Sequence, residues 1–159
     1  MSADRTVVDE HAPKLARLGR VAKEVFALLS EAQAPVKAYD LLWRLQNRRG
    51  TAAPPSTIYR ALNSLVRAGV VHKVEGISAY VICSSPASEH VPALFICEEC
   101  KSALELDGDA AAKAVRNRIR RHGFEPTRLS FEFVGVCAHC QSTEEEEGEA
   151  HEEKPFARR

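Results

Sequence analysis

From Pro13 to about Ser30 the apolar residues Leu15, Leu18, Val21, Ala22, Val25, Leu28 and Leu29 recur at helical spacing with Lys and Arg between them, which predicts one amphipathic helix. After Gln33-Ala34-Pro35, the stretch VKAYDLLWRLQNRRG places Leu41, Leu42 and Leu45 on one side and meets a stop at Gly50, a second, shorter helix. TAAPPS is a loop by its prolines, and Ser56 is positioned to cap the helix TIYRALNSLVRAG, with Gly69 at C′. In that helix Ile58, Ala61, Leu62 and Leu65 form the buried stripe. Thr57, Arg60, Ser64 and Arg67 share the opposite face, with Tyr59 and Asn63 at its margins.

VVHKVE and AYVIC then read as two strands of a hairpin around Gly76-Ile77-Ser78. Three helices and a hairpin make a winged helix-turn-helix. SSPASEHVP is a hinge, followed by strand ALFICEE, strand SALELD, helix DAAAKAVRNRIRRHG and strand TRLSFEFVGVC. The fold class is therefore α+β: an N-terminal winged helix over 1–84, a hinge over 85–92, a small α/β dimerisation domain over 93–141, and a tail over 142–159.

A length of 159 residues suits one or two small domains. No apolar run approaches the roughly 20 residues a membrane helix needs, and the charged start MSADRTVVDEHAPKLAR is unlike a signal peptide, so the expected location is cytoplasmic. Net charge is zero, yet residues 1–80 carry 12 Lys and Arg against 7 Asp and Glu, a net of +5, and residues 81–159 carry 10 against 15, a net of −5. The front half suits a polyanionic partner. Much of the negative charge lies in EEEEGEAHEEKPFARR, from Glu144 onward, which lacks apolar periodicity and reads as disordered, solvating sequence.

A short helix with a polar exposed face, placed after a turn, is the element that enters the major groove in helix-turn-helix proteins. Arg60 suits a bidentate contact with guanine, and Tyr59 and Thr57 suit phosphates or a thymine methyl. The plain alternative is a solvated helix face; the hairpin and the basic half favour DNA.

Five cysteines, an odd count in a reducing compartment, argue against a disulfide framework. Neither Cys97-Glu-Glu-Cys100 nor Cys137-Ala-His-Cys140 opens a helix in a βαβ unit, as a thioredoxin-type pair would. Each follows a strand, so four thiolates can meet at the corners of a tetrahedron, which suits structural zinc; a reducible pair of disulfides is the alternative. The fifth, Cys83, has a geometric partner. Pairing Glu75 with Tyr80 opposes His72 and Cys83, and His90 in the hinge and Glu105 past the first Cys pair stand nearby. Taken alone, His72 and Cys83 read as hairpin packing; an S, N, N, O set from wing, hinge and second domain would make a metal site whose occupancy fixes the angle between domains. A thiol enzyme or a metallohydrolase fits poorly, because closed sites use all eight candidate ligands and leave no base.

AYDLLWRL, PPSTIYRALNSLVRAGVVHKVEG, AYVIC, ALFICEEC and GVCAHC, in that order, resemble the ferric uptake regulator superfamily, and within it the zinc uptake regulator branch, over about residues 13 to 140. The resemblance implies a homodimeric winged-helix repressor, not an enzyme, that binds palindromic operators in double-stranded DNA when zinc is sufficient and represses zinc-acquisition genes. No small-molecule substrate and no membrane partner are expected. Two zinc ions per chain are implied: a structural one on Cys97, Cys100, Cys137 and Cys140, and a regulatory one on His72, Cys83, His90 and Glu105. Tyr39 and Arg60 match residues that contact bases, and with Ser56, Thr57 and Tyr59 complete the DNA-facing set. An iron, manganese or peroxide sensor of the same superfamily is the alternative, but SEHVPALFICEEC lacks the His-rich run of those sensors, and Cys83 is a soft ligand. Trp43 and Gln46 stand where close relatives can carry an ion pair between adjacent dimers, and neither side chain is charged.

Overall fold

The computed structural model describes residues 5–32, 34–87 and 89–142; the acidic tail from Glu144 lies outside them. Helix α1 (Arg5–Ala16) precedes α2 (Arg20–Ser30), so the expected single helix from Pro13 to Ser30 is two. The break falls at Gly19, whose extended backbone forms the N-cap of α2, while Pro13 is accommodated inside α1. Strand β1 (Val36–Lys37) leads directly into α3 (Ala38–Arg49), which ends at Gly50 in the left-handed conformation. β1 was not anticipated, since two residues carry no period.

Helix α4 (Pro55–Arg67) begins two residues earlier than expected. Pro54 is the N-cap and Pro55 takes the first helical position, where a missing N–H costs nothing. Ser56 is therefore inside the first turn and is not the cap. Gly69, at φ 63°, closes the other end as expected.

The wing is β2 (Val71–Val74) and β3 (Ala79–Ile82), with β1 on the outer side of β3. Its register differs from expectation by two residues: His72 faces Val81 and Val74 faces Ala79, with the turn closed by Ser78 N–H to Glu75 O at 3.2 Å. Cys83 lies just past β3, its N–H bonded to Val70 O at 3.1 Å. A shift of two preserves which face each side chain takes. His72 and Cys83 thus remain on one face but as diagonal neighbours, a relation that spaces residues about 7–8 Å apart with their Cβ atoms somewhat closer, and not directly opposed.

The second sheet has the order β5-β4-β6, from β4 (Pro92–Cys97), β5 (Ala103–Asp107) and β6 (Phe131–Gly135). β5 runs antiparallel to β4 and β6 parallel, after a crossover through α5 (Asp109–Arg121). Two cores result. The larger joins α2, α3 and α4 to one face of the wing sheet through residues such as Val25, Leu41, Leu45, Leu62, Leu65, Val71 and Tyr80. The smaller lies between the other wing face and β4: Val74 and Val81 against Leu94 and Ile96. Among the described residues no helix is long and apolar enough to cross a membrane.

Candidate metal centres and nucleic-acid interface

Parallel pairing of β4 with β6 sets Cys97 beside Gly135, so the two strands exit side by side and each runs into its Cys pair. Glu98 N–H donates to Gly135 O at 2.8 Å, and Cys137 N–H points at Cys97 Sγ at 3.4 Å. Lys101, in the left-handed region at φ 61°, turns the chain back, its N–H on Cys97 O. The ligand atoms of Cys97, Cys100, Cys137 and Cys140 all lie within 4.8 Å of one another. Cys100 Sγ and Cys137 Sγ stand 3.7 Å apart, close to the edge of about 3.8 Å that a tetrahedron with 2.3 Å metal–sulfur bonds requires. The thiols resist ionising together. The Cys137 amide chiefly holds Cys97 down to about 6, while hydrogen bonding with Cys137, followed by burial, pushes Cys140 up to about 12. A divalent cation is what would let all four be thiolates at once.

The second cluster draws on three segments. His72 comes from β2, Cys83 from the end of the wing, His90 from the connection to β4, and Glu105 from β5, and their ligand atoms also lie within 4.8 Å of one another. Cys83 Sγ is 3.8 Å from His90 Nε2 and 3.9 Å from Glu105 Oε1; His90 Nε2 is 2.6 Å from Glu105 Oε1. These spacings bracket the roughly 3.3–3.6 Å expected between mixed N, O and S ligands of one tetrahedral ion. His72 Nε2 is the informative atom: it is buried, 3.1 Å from Glu105 Oε1, yet has no aligned hydrogen-bond partner. A buried polar atom left without a partner is costly, and a ligated metal would satisfy it.

Burial pushes the Cys83 thiol up to about 11, only partly offset by the Ser85 amide, so this residue must release a proton to ligate. For Glu105 burial also acts upward, but His72, the Ser84 amide and His90 together outweigh it and hold the carboxyl at about 2. It is an anion throughout the neutral range. His11 of α1 was not singled out in the sequence. Its ring is 1% exposed and its Nε2 lies 2.9 Å from the Cys83 carbonyl, bracing the backbone of a candidate ligand. A lone His ahead of a helix gave no signal of this.

The residues expected to face DNA lie on α3 and α4. Ser56, Tyr59 and Arg60 are exposed on α4 and Thr57 is half-buried. Tyr39, exposed at the start of α3, meets Tyr59 edge-on with ring centres 6.5 Å apart. Trp43, one turn beyond Tyr39, is also exposed, at 65%. Gln46 instead turns inward, its Nε2 donating to Ala53 O at 2.9 Å to hold the loop before α4.

The model of the ferric uptake regulator family matches residues 17–134. This chain belongs to the ferric uptake regulator family. Within the family, the zinc uptake regulation protein of Escherichia coli (strain K12) is 35% identical over 122 residues, 76% of this chain and 71% of that one. The protein of the same name from Mycobacterium tuberculosis is 33% identical over 99 residues, 60% of this chain and 72% of that one. Among solved structures, a zinc uptake regulator complexed with zinc and DNA superposes with a TM-score of 0.81 at 30% identity, covering 91% of this chain and 99% of that one. Holo XcZur gives 0.74 at 33% identity, covering 86% and 99%. Like these relatives, this family member is a regulator and not an enzyme.

Proposed function

We propose that this chain is a zinc-responsive repressor that binds palindromic operators in double-stranded DNA as a homodimer when zinc-loaded, and so controls zinc-uptake genes. The observation that carries the reading is the convergence of His72, Cys83, His90 and Glu105 from wing, connection and second sheet onto one point. Bound there, zinc supplies a cation that only those three segments together can ligate. Two ions per chain are proposed, the second held by Cys97, Cys100, Cys137 and Cys140. The iron, manganese or peroxide alternative is not favoured: the thiol of Cys83 is a soft donor, and relatives above 30% identity are zinc uptake regulators.

The same geometry supports a division into a winged helix, a hinge near 85–92 and a dimerisation domain. The face of β4, β5 and β6 turned away from the wing exposes Phe95, Leu104, Leu106 and Phe133, with Phe95 stacked on Phe133 at 4.7 Å. A second copy of the chain is the proposed cover, since contiguous exposed apolar area on a small domain marks an interface. Phe133→Glu is expected to move sedimentation from dimer to monomer while leaving zinc uptake by the four cysteines intact. A Phe133→Glu chain that stays dimeric places the interface elsewhere.

The functional test is fluorescence anisotropy on duplexes selected from a randomised pool by the zinc-loaded protein, titrated with zinc. Binding should require zinc beyond the first equivalent. Arg60→Ala should weaken operator binding by about 1–3 kcal/mol and relax base preference at one position per half-site. Equal loss on every sequence would instead make Arg60 a phosphate contact, and zinc-independent binding would refute the sensor reading.

A further inference from the structure

Leu94 in the middle strand carries a carboxylate on each side of its row. It pairs with Glu105 of β5 and with Glu132 of β6, so both acidic side chains share the sheet face that meets the wing. Glu105 accepts from Ser84 N–H, at the exit of the wing, at 2.8 Å. Glu132 takes the opposite end. Its Oε1 accepts from Glu75 N–H at 2.6 Å and its Oε2 from Gly76 N–H at 2.8 Å, both in the wing turn. Gly76 leaves room for this approach, because a Cβ there would stand 3.1 Å from Glu132 Oε2. Arg128, just ahead of β6, reaches Glu75 at 3.1 Å, and Lys73 pairs with the same carboxylate. Val74 and Val81 pack on Leu94 and Ile96 in the same wing–sheet interface.

We propose that Glu132 is a positioning residue for the zinc site: by fixing the wing turn on β6 it presets His72 and Cys83 against His90 and Glu105, and so sets the free-zinc level at which that cluster fills. The proposal rests on reading the cluster as a zinc site. Glu132 is not among the candidate ligands. Its two bonds to one turn are of the charge-assisted, bidentate kind that fixes geometry as well as adding energy. The arrangement of wing and sheet that satisfies Glu132 is the same one that assembles the ligands. Two contacts that favour one arrangement are linked, so losing either lowers the competent fraction and raises the apparent dissociation constant by its inverse. A contact on β6 would thereby tune a metal site on β2 and β5.

The test uses the full-length dimer with Glu132→Ala and, as an isosteric partner, Glu132→Gln. Zinc uptake is titrated against a competing chelator without DNA, amide exchange is followed at residues 75 and 76, and operator binding is measured against free zinc. For Glu132→Ala the midpoint of the weaker zinc is expected to rise about tenfold, equivalent to about 1.4 kcal/mol, with a smaller shift for Gln. Stoichiometry, dimer mass and operator affinity at saturating zinc should be unchanged, and exchange at 75 and 76 should quicken. General damage to the fold would lower the saturated plateau, which is the contrast that matters. An unchanged midpoint in either folded variant overturns the proposal, as does a lost plateau at constant midpoint. A wild-type chain that takes up no second zinc refutes the site reading itself, and the wild-type titration separates that failure from failure of the latch.

Discussion

Cys100→Ser is expected to lose the tightly held zinc and to unfold the second domain, abolishing dimerisation, while the winged helix keeps its helical signal. The asymmetry follows from the two cores. The winged helix buries a continuous cluster from Leu15 to Tyr80. Between residues 93 and 141, Ala93, Leu94, Ile96, Cys97 and Ala112 are the buried apolar side chains among the described residues, and Leu94 and Ile96 spend their contacts on the wing. So small a core needs a staple. A structural zinc is worth about 10–16 kcal/mol in zinc-finger peptides, as much as the whole stability of an ordinary domain. Circular dichroism, sedimentation and metal content on Cys100→Ser against Cys83→Ser would decide it. The Cys83 variant should retain one zinc and the dimer. A Cys100→Ser chain that melts with the wild type, and as a dimer, would show that the four thiolates do not close the domain.

What the sequence disclosed followed from how local each signal is. The Cys pairs are legible because a Cys-x-x-Cys after a strand is a complete turn in itself, and pairing two of them needed only that the strands return together. The buried stripe of α4 is legible because Ile58, Ala61, Leu62 and Leu65 carry the helical period unaided. Strand β1 was hidden, since Val36 and Lys37 become a strand only by pairing with Tyr80 and Ala79. The wing register slipped by two because several turn lengths fit Gly76-Ile77-Ser78, and only Ser78, non-glycine at φ 51°, shows where the chain reverses. That error left the His72–Cys83 face intact, since period two forgives an even shift. Glu132 was illegible for a different reason. In SFEFVG it is one polar residue in an alternating strand, and its meaning comes from β6 lying parallel to β4, beyond a helical crossover.

His90→Ala is expected to leave fold, dimer and the four-cysteine zinc intact while lowering zinc-dependent operator affinity by about a hundredfold. His90 is the cluster's member on the connection between wing and β4, with its Nε2 2.6 Å from Glu105. Its loss leaves His72, Cys83 and Glu105 to hold a cation with one vertex open. A hundredfold change needs about 2.7 kcal/mol between competent and incompetent arrangements, well within what one zinc site supplies. The structure also limits how loose the zinc-depleted chain can be. Val74, Val81, Leu94 and Ile96 are all at most 9% exposed at the wing–sheet contact, and Glu132 holds the turn. The DNA-binding units should therefore sample a restricted set of orientations when zinc is withdrawn, rather than swing freely about residues 85–92. Distances between labels on the two α4 helices should broaden moderately on chelation, narrow when zinc is restored to the wild type, and stay broad in His90→Ala. If the depleted wild type already gives the narrow distribution, zinc acts on something other than orientation, and the affinity loss in His90→Ala would have to come from the wing surface itself.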